Sequence, residues 1–211
     1  MRAGGARQGE LFTSGGDLNG AGGPGPLPPP LLRDQLLAWQ ARLAAHQAPL
    51  FGGGSPGGEQ ASLFAPAAAE AQIHADGARL EAERLDPLSL HPQSLTFWRW
   101  PEAPHRGAAV YLVMDRPANG EQTLLLYVGE TGRADRRWKG DHDCKRYLAA
   151  YGEALGRAGL PQGLSIRFWC DVPEAVRARR ALEQALIRRW LPPFNKETRG
   201  RWATPFTAEP E

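Results

Sequence analysis

Two cysteines among 211 residues, Cys144 and Cys170, are too few for a disulfide framework and too few for a four-cysteine zinc site. A reducing compartment is the expectation. Met1-Arg2 is followed by Gly-rich polar residues with no apolar stretch of signal-peptide length, so the chain is expected to be cytoplasmic. No run of about 18 apolar residues occurs, which excludes a helical membrane span. Residues 1–94 lack lysine and tyrosine altogether; their six Arg stand against nine acidic residues, a net charge of −3. The +2 of the whole chain is too small to demand a polyanionic partner. The distribution is more telling. Residues 95–211 carry 19 basic and 14 acidic residues, net +5, with all four Tyr and six of the seven Trp. A nucleic-acid surface is expected in this basic, aromatic half.

Composition divides the chain near residue 95. Residues 1–30 are Gly, Pro and polar residues ending in Leu27-Pro28-Pro29-Pro30, with too little apolar surface to offset the entropy of ordering them. Leu32, Leu36, Trp39 and Leu43 recur at helical spacing and predict a short amphipathic helix over 31–46. Residues 52–58, Gly-Gly-Gly-Ser-Pro-Gly-Gly, read as a flexible linker. The Ala- and Glu-rich stretch near 67–84, with Ile73 and Leu80 seven apart, predicts a second helix weakened by Gly77 and stopped before Pro87 and Pro92. Residues 1–94 are thus expected to be a largely disordered region holding one or two short helices.

Residues 95–204 read as a packed α+β domain, with 205–211 as a tail. Residues 109–114 and 123–129 are apolar runs separated by Arg116-Pro117-Ala118-Asn119-Gly120, so they form an antiparallel hairpin. A helical stretch follows over 133–157, broken near Gly140. Residues 164–170 alternate with period two and make a third strand. Pro173 and Glu174 suit the first turn of a helix running to about Trp190, with Leu182, Leu186 and Trp190 as its apolar row and Pro192-Pro193 as its stop. The expected architecture is a small three-stranded antiparallel sheet flanked by helices.

Several residues in this order have a joint chemical meaning. A carboxylate that holds Mg²⁺ or Mn²⁺ supplies a Lewis acid for phosphodiester hydrolysis, and Glu183 is the candidate ligand. A guanidinium relieves charge at phosphorus, and Arg137 is the candidate. Tyr111, Tyr127 and His142 are candidates for relaying the proton of the attacking water. Gly129 at a strand end permits close backbone approach, and Asn195 either braces the loop after the last helix or bonds the site. Each has a plainer reading. The two Tyr suit core packing, and Glu183 suits an ion pair with Arg179 or Arg180 one turn away. His142 with Asp141, Asp143 and Cys144 suits a local polar cluster.

Val110-Tyr111-Leu112 and Tyr127-Val128-Gly129 resemble the paired signature tripeptides of GIY-YIG nucleases. Arg137 lies ten residues after the second Tyr, Glu183 lies in the later helix and Asn195 follows it by twelve, as in that family. The resemblance covers about residues 108–196 and implies a metal-dependent DNA endonuclease serving repair or recombination, with Tyr111 as the favoured proton relay. A non-catalytic DNA-binding or clamp-recruited adaptor that retains the fold is the alternative. The sequence departs from the family in a longer loop between the tyrosines, in Glu130 where some members carry Lys, and in His142 five rather than four residues past Arg137. Arg133, Arg136, Lys139, Lys145 and Arg146 surround Arg137, and Arg199 and Arg201 follow Asn195; these are the expected phosphate contacts.

A separate pattern recurs in the first half. Gln8-x-x-Leu11-Phe12, Gln47-x-x-Leu50-Phe51 and Gln60-x-x-Leu63-Phe64 share Q-x-x-L-F. This resembles the pentapeptide by which bacterial DNA-processing proteins dock on the replication sliding clamp. The competing reading is a set of apolar anchors that fold back onto the domain.

Overall fold

The computed structural model of the chain describes residues 33–53, 69–96, 105–117, 122–137 and 143–204. Three strands form one antiparallel sheet: β1 (Ala109–Asp115), β2 (Leu124–Thr131) and β3 (Ser165–Trp169), in the order β2-β1-β3. β1 is buried along its whole length because both faces of the sheet are covered, which accounts for its unbroken apolar run. The Asn119-Gly120 turn expected between β1 and β2 lies outside the described residues.

On one face pack α1 (Arg33–Phe51) and α4 (Asp143–Arg157). Leu36, Trp39 and Leu43 of α1 and Leu148, Tyr151 and Leu155 of α4 share a core with Tyr111, Val113 and Phe168. On the other face lie α2 (Ala69–Arg84) and α5 (Val176–Trp190), where Ala82, Leu182, Leu186 and Trp190 cover Val110, Leu112, Met114 and Val128. A four-residue helix, α3 (Ala134–Arg137), follows β2.

The compositional boundary near residue 95 is therefore not a structural one, since the compact unit starts at Leu31. α1 contributes to both core layers and α2 to one, and their lack of lysine and tyrosine hid it. α1 also runs five residues beyond its expected end and passes through Pro49. Proline there removes one backbone donor. The turn is retained by tertiary anchors, Leu50 buried and Phe51 packed on Trp190 with ring centroids 4.6 Å apart. In α2 the expected apolar row is displaced: Leu80 is 54% exposed, and Ala78 and Ala82, with Leu85 just past the helix, face the core instead.

The alternation of β2 contains one irregularity that matters. Val113 pairs with Tyr127 and Met114 with Leu125, leaving Leu126 as the extra residue of a β-bulge. Leu126 and Tyr127 consequently both join the α1/α4 face. Without the bulge, a strand that buries Leu124 and Leu126 on that face would turn Tyr127 to the opposite one.

The inner end of β1 is fixed by a buried polar chain. Gln40 donates to the Tyr151 hydroxyl (2.6 Å), which donates to Asp115 (2.7 Å), and Asp115 accepts a second bond from the Gly163 N–H (2.9 Å). Burial pushes the Asp115 carboxyl above the usual carboxylate range, and these bonds oppose that rise only in part.

Candidate functional site

Register places Tyr111 directly opposite Gly129. A Cβ on Gly129 would lie 2.4 Å from both Cζ and Oη of Tyr111, so only glycine lets the phenol head rest on the β2 backbone. This is the close approach expected of Gly129. Tyr127 stacks on Tyr111 at a centroid distance of 5.9 Å and an interplanar angle of 30°. Tyr111 is 0% exposed, whereas Tyr127 is half-buried. Burial drives the Tyr127 hydroxyl well above the ordinary phenol range, helped by Tyr111, Cys144, a hydrogen bond with Tyr111, and the Glu183 carboxylate. Tyr111 and Glu183 thus both bear on Tyr127, although the sequence separates the three by up to 72 residues.

Glu183 is held at the sheet edge. Its Oε1 accepts from the N–H of Glu130, the residue after Gly129 (3.1 Å). Arg179 and Arg180, the expected helical partners of Glu183, instead bond the side chain of Glu130, at 2.8 and 3.4 Å. Arg179 is 2% exposed and also donates to the carbonyls of Pro173 (3.1 Å) and Glu174 (2.8 Å), tying the start of α5 to the end of β2. The Glu130 carboxylate is thereby paired with two guanidinium groups from α5. No local pattern marks this pairing, because it spans about 50 residues.

Asn195 is a brace. Its amide accepts from Val128 N–H (3.0 Å) and donates to Val128 C=O (2.8 Å), replacing the strand that β2 lacks on its outer side. Phe194 N–H adds a bond to Leu126 C=O (3.0 Å). Gln47 does the same for Leu125, accepting from its N–H (2.8 Å) and donating to its C=O (3.0 Å) and to Trp190 C=O (3.0 Å). The middle Q-x-x-L-F segment is thus corrected: Gln47, Leu50 and Phe51 are core and edge-capping groups of α1, not a free docking peptide. The copies holding Gln8, Leu11, Phe12, Gln60, Leu63 and Phe64 lie outside the described residues.

Arg137 closes α3, whose start is set by Ala134 N–H on Gly107 C=O (2.9 Å) and by Arg133 N–H on the Thr131 hydroxyl (3.0 Å). Its side chain, and the whole of Lys139 and His142, fall outside the described residues. Arg133, Arg136 and Arg146 are exposed and Lys145 is half-buried. Arg136 lies 3.8 Å from Asp135, and Arg199 donates to the Tyr147 hydroxyl at 2.7 Å.

A divalent ion fits this donor set in one way. Among the described residues no three His, Cys, Asp or Glu side chains come together, so a cage made wholly by protein is not offered there. A single anchored carboxylate is the usual protein share of a Mg²⁺ site completed by waters and substrate phosphate. Among the described residues no helix is long and apolar enough to cross a membrane. Compared with models of protein families, with curated proteins and with solved structures, the chain matches none.

Proposed function

We propose that the chain is a metal-dependent endonuclease of the GIY-YIG type that hydrolyses phosphodiester bonds in DNA. One observation carries this reading. The backbone N–H that follows Gly129 anchors Glu183, so the tyrosine-bearing strands and the helix carboxylate meet at one point of the sheet edge. A bound Mg²⁺ or Mn²⁺ would be held by Glu183 and would supply charge relief at phosphorus and at the leaving oxygen. The chain's own groups do the rest. Arg137 is assigned to the phosphate, where a planar fork matches two oxygens. Tyr127, the more exposed ring, is assigned to the attacking water, and Tyr111 positions it from beneath. The water loses a proton as its oxygen bonds phosphorus, the bond from phosphorus to the leaving oxygen breaks, and that oxygen takes up a proton.

The elevated pKa of Tyr127 favours a second reading. A phenol disfavoured as phenolate is a poor base until a cation comes near. A non-catalytic DNA-binding module would retain the same packing. Cleavage of branched, damaged and plain DNA with Mg²⁺ or Mn²⁺ separates the two: cutting supports the nuclease, and binding of all three without cutting supports the module. Recruitment by the sliding clamp now rests on residues 8–12 and 60–64. Clamp capture that survives Leu→Ala and Phe→Ala changes in both segments would reject it.

A further inference from the structure

α1 brings two side chains to the segment that follows Asn195. Arg42 and His46, one helical turn apart and hence on one face, line a recess of about 340 Å³ together with Arg201, Trp202 and Ala203. None of the lining residues is acidic. Arg42 and Arg201 are exposed, and among the described residues neither guanidinium has a hydrogen bond or an ion pair. Among the described residues the buried Nε2 atom of His46 has no hydrogen-bond partner, and its ring meets Trp202 edge-on at a centroid distance of 5.7 Å. Burial, and next the charge of Arg201, hold the imidazole below its ordinary pKa. Two exposed guanidinium forks around one concavity that no acidic side chain lines suit a tetrahedral oxyanion. Trp202 is 8% exposed and its indole N–H is engaged by Leu191 C=O at 2.6 Å. It therefore walls the recess and offers no stacking face to a base.

We propose that this recess is a phosphate-binding site, in which Arg42 and Arg201 grip one phosphate group beside the His46 ring. Tyr111, Tyr127 and Glu183 do not line it, so it is separate from the proposed cleavage site and does not rest on cleavage. The phosphate is either a free ion or a phosphodiester of a DNA backbone, and in the second case the site extends the nucleic-acid reading.

The test is histidine side-chain NMR of the full chain, with the His46 signals assigned through His46→Gln. Inorganic phosphate is titrated in one arm. A short DNA duplex is titrated into the Glu183→Gln chain in the other, so that nothing is cut. The His46 ring signals should move in at least one arm, with a raised pKa at saturation. Arg42→Gln/Arg201→Gln should abolish the response, and Arg42→Lys/Arg201→Lys should retain part of it. Both arginines are exposed, and an unchanged melting temperature shows that the variants are folded. A DNA source would also lower the slope of log K against log salt by about 1 in the double Gln variant. A response to inorganic phosphate alone identifies the free ion. No response to either probe, or a response that survives the double Gln variant, overturns the proposal. A wild-type chain that cuts no DNA but shows the His46 response would remove the nuclease reading and leave this site standing.

Discussion

Replacing Gly129 by Ala puts a methyl group where the head of Tyr111 already lies. The added carbon would sit 2.4 Å from Cζ and Oη and 2.9 Å from Cε1, against about 3.5–4.0 Å for relaxed carbon contacts. The ring must retreat by roughly 1 Å or more to restore such contact. An exposed tyrosine would do so at little cost. Tyr111 has no such freedom, being fully buried between Tyr127 at 5.9 Å and Phe168 at 6.2 Å. Overpacking of this kind costs about 1–3 kcal/mol, and the reduced freedom of the unfolded chain returns about 0.4–1 kcal/mol, leaving a net loss of about 1–2 kcal/mol. Urea unfolding followed by tryptophan fluorescence reads it. The loss should largely vanish in a Tyr111→Leu background, where no ring head opposes the methyl, giving a coupling of about 1–2 kcal/mol in the double-mutant cycle. DNA cleavage should fall as well, because the Tyr127 ring rests on the displaced one. Gly129→Ala within about 0.5 kcal/mol of wild type, or an equal cost in both backgrounds, would refute the reasoning.

Three further outcomes follow from the same packing. Asn195→Ala leaves Val128 N–H and C=O without partners on the β2 edge, and should cost about 2–4 kcal/mol in urea unfolding. Gln47→Ala strands the corresponding groups of Leu125 and should cost a comparable free energy, about 2–4 kcal/mol, seen as a lower melting temperature; a neutral result would mean that the amide is not a strand substitute. The third concerns pH. The folded pKa of Asp115 lies above its unfolded value because burial disfavours the charged form. Its favourable contribution is then fully present below the unfolded pKa and is lost as pH rises through the folded one. Asp115→Asn should flatten the stability–pH curve across that window, and unfolding midpoints measured from pH 4 to 8 check it.

The three strands, α5 and its apolar row were legible because their periodicities are local: Leu182, Leu186 and Trp190 follow the helical repeat and Ile166 and Phe168 the alternating one. The glycine marked room for a close approach at position 129 but not its partner, Tyr111. What escaped was carried by long-range side-chain-to-backbone bonds. Gln47 lies 78 residues from Leu125 and Asn195 lies 67 from Val128, and no local pattern marks an amide as a surrogate strand. The bulge at Leu126 was equally silent, since a run of three leucines gives no preferred phase. Composition misassigned α1, because Leu50 and Phe51 resemble a docking peptide until Trp190 is seen beneath them. Glu130 seemed a lost cation; its pairing with Arg179 depends on the angle at which α5 crosses β2, which sequence spacing does not encode.

The most direct measurement compares wild type with Glu183→Gln in an Mg²⁺-dependent cleavage assay over branched, damaged and plain DNA. The amide retains an oxygen that can accept from Glu130 N–H but loses the charge that would hold a cation. Wild type should nick or cut at least one substrate, and Glu183→Gln should bind that substrate with similar affinity, melt at a similar temperature and lose cleavage by about 100-fold or more. Undiminished cleavage by Glu183→Gln, or no cleavage of any substrate by wild type, would contradict the nuclease assignment.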